Sequence, residues 1–78
     1  PMTTVSFDVP ERCRVSVRVY SVDGRVVSTL LDGERDAGTH RIVWRGTDDT
    51  GIDVASGVYF CVLEAKGLRL TRKMVLMR

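Results

Sequence analysis

Residues 14–31 read RVSVRVYSVDGRVVSTLL, and this stretch decides the fold class. Val15, Val17 and Val19 alternate with Arg14, Ser16 and Arg18. An extended chain would place the valines on one face and the polar groups on the other. Tyr20 and Val22 break the alternation, which marks a bulge or a covered strand end. Asp23-Gly24 then stands between two apolar runs. That pair predicts a hairpin through a type I′ turn, whose two central residues need positive φ. Arg25 to Leu31 is the returning strand.

The same period continues outward in both directions. Upstream, TVSFDV (4–9) puts Val5, Phe7 and Val9 on one face, and Pro10 ends the run because it has no N–H for a ladder. Downstream, Asp32 to Gly38 reads as a polar loop. THRIVWRG (39–46) is the next strand, with Ile42 and Trp44 toward the core and Arg41 and Arg45 outward. TDDTG (47–51) is a turn cluster, followed by a short stretch from Ile52 to Ala55. GVYFCVLEA (57–65) has Tyr59, Cys61, Leu63 and Ala65 on one face and Val58, Phe60, Val62 and Glu64 on the other. Lys66-Gly67 is a third turn, and Leu68 to Arg78 is the closing strand. No stretch keeps a helical period over three turns. About six or seven strands, with turns every 8–12 residues or so, predict an all-β antiparallel sandwich.

The chain has 78 residues, one domain spanning 1–78, with 44% hydrophobic and 28% charged residues. That mixture does not suit disorder. The 12 basic and 10 acidic side chains leave a net charge of +2, and the basic ones are scattered along the chain. A nucleic-acid binder concentrates its charge on one face, so nucleic acid is not an expected partner. No apolar run approaches the roughly 20 residues that span a bilayer. The start, PMTTVSFDVP, lacks the basic and apolar regions of a signal peptide and already lies inside a strand-like pattern. The expectation is the C-terminal module of a longer exported protein whose export signal lies upstream.

Candidate chemistry is sparse. Cys13 and Cys61 are the only cysteines and His40 the only histidine, with no CxxC, so zinc is not expected. The thiols read either as two separate buried groups or as one disulfide. His40 has no serine or cysteine beside it in a nucleophile motif. Asp48, Asp49 and Asp53 could ligate calcium, but the EF-hand pattern is not met, and turns need Asp and Gly for conformational reasons alone. Tyr20, Trp44, Tyr59 and Phe60 could form a carbohydrate platform; core packing is the better reading in so small a domain. Phe60 and Val62 face away from the Tyr59 row and form a candidate partner patch. No enzyme activity and no cofactor are expected.

The motif order resembles a known family. VSFDVP (5–10), VRVYSVDGRVVSTL (17–30), AGTHRIVWRGTDDTG (37–51), VASGVYFCVLEA (54–65) and TRKMVLMR (71–78) together are similar to the FlgD-type immunoglobulin-like domain. They are similar also to the C-terminal sorting domain of type IX secretion. The matching positions include Tyr20, Gly24, Arg25, His40, Trp44, Gly46, Asp48, Gly57 and Tyr59. Arg45 and Ser21 depart from the family, which usually has Asp at both places.

The resemblance implies a sandwich of about seven strands and a non-catalytic role. On the sorting reading, taken as the leading one, the domain directs export and surface attachment of its parent. Gly57, Tyr59, Lys73, Val75 and Leu76 would then carry the signal. On the FlgD reading it is a structural assembly module that caps the flagellar hook. A carbohydrate-binding accessory to a secreted hydrolase is the third reading. The expected partners are secretion or assembly proteins, with an edge-strand dimer left open, no membrane insertion, and transit through the periplasm to the cell surface or beyond.

Overall fold

A computed structural model describes all residues from Pro1 to Arg78. Six strands form: β1 (Thr3–Val9), β2 (Cys13–Ser21), β3 (Val26–Arg35), β4 (Gly38–Trp44), β5 (Gly57–Ala65) and β6 (Leu68–Leu76). They make two antiparallel sheets, one of order β3-β2-β5-β6 and one of β1-β4. There is one strand fewer than the seven expected: Leu68–Leu76 closes the larger sheet, and Ile52–Ala55 makes only a single bridge, Thr47 to Asp53. The all-β sandwich itself stands. No helix in the chain is long and apolar enough to cross a membrane.

The alternating valines of β2 explain the layering. Val15, Val17 and Val19 are fully buried, while Arg14 is exposed and Ser16 and Arg18 are half-buried. Each burial of this kind contributes about 1.5–3 kcal/mol relative to an exposed side chain. The same faces of β1 and β5 meet them, so Val9, Cys13, Val15, Val17, Leu31 and Cys61 form one cluster. Val19, Trp44, Tyr59 and Leu76 form a second cluster at the other end of the sandwich.

Strand β3 departs from strict alternation for a visible reason. Val17 pairs with Leu31 but Arg18 with Thr29, and Val19 pairs with Ser28 but Tyr20 with Val26. Leu30 and Val27 are therefore the extra residues of two bulges. A bulge lets neighbouring residues share the inward side, and Leu30 and Val27 both pack against the core. The break sensed at Tyr20 lies beside the second of these bulges, on the partner strand, and Val22 falls past the end of β2.

One turn expectation is corrected. At Asp23-Gly24 only Gly24 has positive φ, at 83°, so a type I′ turn does not form there. The loop is one residue longer, Val22 to Gly24. It is closed by Gly24 N–H to Ser21 O at 3.0 Å and Ser21 N–H to Arg25 O at 2.9 Å. The two-residue turn with both φ positive is Lys66-Gly67, at 50° and 77°, joining Ala65 directly to its partner Leu68.

The polar run Asp32–Gly38 is also not a loop. Asp32 to Arg35 continue β3, and Asp36-Ala37 alone cross to β4. Asp32 and Glu34 lie on the sheet's outer face, where ion pairs hold them. Arg14 meets Asp32 at 2.7 Å, Arg18 meets Asp32 at 3.3 Å, and Arg12 meets Glu34 at 3.8 Å.

Candidate functional site

The two ends of the sandwich differ in how completely the small sheet covers the large one. At the Trp44 end the cover is complete. Trp44 is 1% exposed and meets Tyr59 edge-on, with ring centroids 5.2 Å apart. Such a pair contributes about 0.5–1.5 kcal/mol beyond its area. Both polar tips are satisfied: Trp44 Nε1 donates to Thr47 O at 2.9 Å and Tyr59 Oη to Ala55 O at 2.7 Å. These rings pack in the core, so they cannot serve as a carbohydrate platform.

The loop from Arg45 to Ser56 closes this end. Asp48 Oδ1 accepts from Thr50 N–H at 2.9 Å, Thr50 Oγ1 at 2.6 Å and Ile52 N–H at 3.1 Å. The Thr50 hydroxyl, and after it the Ile52 amide, holds the Asp48 carboxyl below its ordinary range. Asp49 turns the other way and accepts from Thr29 N–H at 2.9 Å and Ser28 Oγ at 3.3 Å. The loop thereby covers part of the outer edge of β3. Asp53 pairs with Arg78 at 3.6 Å. The three carboxylates do separate structural work, and no three His, Cys, Asp or Glu side chains converge as metal ligands.

Arg78 braces the same loop. Its guanidinium donates to Val54 O at 2.7 Å and to Gly46 O, and its backbone N–H donates to Ser56 Oγ at 3.0 Å. Gly46 suits this approach: its φ is +72°, and a Cβ there would lie 2.7 Å from Arg78 Nη2 and 3.2 Å from a Leu76 methyl. Sequence reasoning counted Arg78 only as one of the scattered basic residues. Its partners lie 22 to 32 positions away, so no local pattern points to it.

At the other end the cover is incomplete. Strand β1 is paired only with β4, and β6 only with β5. Between them lies a groove of about 570 Å³. In an antiparallel ladder, paired residues share a face. Leu70 is paired with Leu63 and Leu68 with Ala65, so both leucines belong to the inward side of β6. They are nevertheless 51% and 58% exposed, because no strand of the small sheet lies over them. Val5, Phe7 and Met74 line the rest of the floor.

The remaining residues singled out by the sequence divide between core and surface. Tyr59 and Leu76 are 9% and 3% exposed members of the Trp44 cluster. Gly57 is half-buried, and only Lys73 and Val75 are openly exposed. The five candidate signal residues therefore do not form one surface. Val62 does lie on the outer face of β5, but it is 4% exposed. It sits between Arg18 of β2 and Thr71 of β6, and Arg18 has only 28% of its side chain exposed. A long side chain laid flat can cover apolar surface in this way. Phe60 is half-buried beside it, so the expected partner patch is not an open one.

His40 stacks on Phe7 at 5.6 Å, and its Nε2 donates to Asp36 O at 2.7 Å, since a carbonyl can only accept. The two thiols are free and buried. Cys61 pairs with Val19, six positions along β2 from Cys13, which is about 20 Å at strand rise. A bridge needs Cα atoms within about 7 Å, so the disulfide reading is excluded in this register. Burial pushes the Cys61 thiol up, with Arg72 opposing more weakly.

Two facing antiparallel sheets, a core between them and loops braced by their own polar groups define an immunoglobulin-like sandwich module. The sequence profile of the FlgD Ig-like domain matches residues 2–67. The chain belongs to that family. It is 38% identical over 52 residues to the basal-body rod modification protein FlgD of Salmonella typhimurium, and equally to that of Salmonella typhi. Those matches cover 67% of this chain and 22% of each relative, so the chain spans under a quarter of their length. Among solved structures, FLGD from P. aeruginosa is similar with a TM-score of 0.72 and 25% identity, over 97% of this chain and 61% of that one. These findings support the FlgD side of the resemblance and do not support the sorting-domain side.

Proposed function

We propose that the chain is a non-catalytic assembly module of a FlgD-type protein, which works by docking onto partner proteins outside the cytoplasm. The observation that carries this reading is the similarity to FLGD over 97% of the chain, at a TM-score of 0.72. The geometry agrees with it. The loop carboxylates and Arg78 are engaged in bracing the fold, and the accessible feature left over is an apolar groove with a free strand edge. Hook capping, rather than sorting, is the role that this reading assigns.

A graft tests it. Residues 1–78 replace the matching immunoglobulin-like segment of Salmonella FlgD in a strain lacking its own FlgD. The expected result is hooks visible by electron microscopy. A folded, exported chimera that yields no hooks would overturn the reading.

A further inference from the structure

The sandwich has four strand edges that could in principle take another strand, and they are not equivalent. On β3, Asp49 already accepts from the Thr29 amide at 2.9 Å, and the Asp49 N–H donates to Val27 O at 3.2 Å. That edge is partly occupied by the protein's own loop. Strand β4 lies on the β3 side, where Asp36-Ala37 cross between the sheets. Strand β6 carries Arg69, Arg72 and Lys73 and no acidic residue. Symmetric pairing of two β6 strands would bring like charges together, which is destabilising. Strand β1 is different. Its free side opens onto the groove, next to the uncovered Leu68 and Leu70.

The groove also has a charge pattern. Arg72 and Lys73 line it toward one end and Lys66 toward the other. Lys66 is held by Glu11 at 2.6 Å, but Arg72 and Lys73 have no carboxylate partner among the ion pairs. Arg72 shares the inward face with Leu70, two positions along the strand. A strand laid beside β1 would sit about 4.8 Å from it and about 10 Å above β6. Its inward side chains would cover Leu68 and Leu70, and an inward carboxylate would meet Arg72. Addition of an extended peptide to an exposed sheet edge is a known recognition mode, with main-chain bonds giving affinity and alternate side chains giving specificity.

From this we propose that the groove between β1 and β6 receives an extended segment of a partner protein, apolar in its inward residues and acidic at its ends, which pairs with the free edge of β1. The proposal deepens the assembly-module reading and rests on it. A second copy of the chain is disfavoured, because the basic β6 would then receive no acidic strand: β1, the other free strand, carries Asp8 alone.

Two ten-residue synthetic peptides alternating valine and threonine test the proposal, one with glutamate replacing its end valines and one with lysine there. Both are titrated into the isotope-labelled chain and followed by amide chemical shifts. The expected result is saturable movement of the Thr3–Val9 amides, with the glutamate peptide bound about tenfold or more tightly than the lysine peptide. Arg72→Glu should abolish or reverse that ratio while leaving the rest of the spectrum in place. N-methylation of alternate peptide amides should remove binding by the glutamate peptide. Equal affinity for both peptides, shifts confined to other strands, or no binding would overturn the proposal. So would concentration-dependent β1 shifts without peptide together with dimers in sedimentation, since the occupant would then be a second copy. Any of these failures leaves the hook graft as an independent measure of the assembly reading.

Discussion

Leu76 and Leu70 lie on the same strand and the same face, six positions apart, and their surroundings are opposite. Leu76 is 3% exposed, packed with Val19, Trp44 and Tyr59, and roofed by the loop that Arg78 braces. Leu70 is 51% exposed, because no strand of the two-stranded sheet covers it. The alternating pattern that made both residues inward is identical. What differs is the second layer, and that layer is set by contacts distant in sequence. A strand's own periodicity determines which way a side chain faces. It does not determine whether anything is there to meet it.

Substitutions at the closed end should be costly and those at the open end cheap. The largest effect is expected for Trp44→Ala, which removes the largest fully buried side chain. A loss of about 3–5 kcal/mol follows from the cavity it leaves, enough to remove most of the stability of so small a domain. Urea denaturation should show little or no cooperative transition.

Leu76→Ala comes next, at about 2–5 kcal/mol by the same measurement. Arg78→Ala should cost about 1–3 kcal/mol, because the carbonyls of Gly46 and Val54 lose a charged donor. Hydrogen exchange should then quicken in residues 46–56 and stay unchanged in β1. Leu70→Ala should cost about 1 kcal/mol or less, since half of that side chain already meets water. A loss at Leu70 as large as at Leu76 would break the distinction between the two ends.

The smallest effect concerns pH. The Asp48 carboxyl is held below its ordinary value of 3.8. The folded state therefore binds that proton less readily than the unfolded chain does. The stabilisation is present above the ordinary carboxylate value and is lost as pH falls through the folded one. Asp48→Asn should make the Tm-against-pH curve shallower below about pH 4 and leave its slope near neutrality unchanged. An unaltered acid limb would show that the loop at the closed end does not depend on this charge.

Much of the fold was legible because β-structure writes its faces at period two. The six strands, the burial of Trp44 and Tyr59, and the outward arginines of β2 followed from alternation alone. The misreadings share a cause. Asp32–Arg35 looked like a loop because their polarity is local, while the arginines of β2 that pair with them are on another strand. Asp23-Gly24 has I′ residues, yet the bulges in β3 set a loop one residue longer. Val62 read as open because the side chain that lies beside it, Arg18, comes from β2. Arg78 and the groove left no trace in any short window, since both arise only when the two sheets are laid together.

One consequence follows from Asp49. By taking up hydrogen-bonding capacity on the rim of β3, it removes part of one of the rims to which a further strand could be added. Continuous sheet growth across that part of the β3 rim is therefore blocked by the protein's own loop.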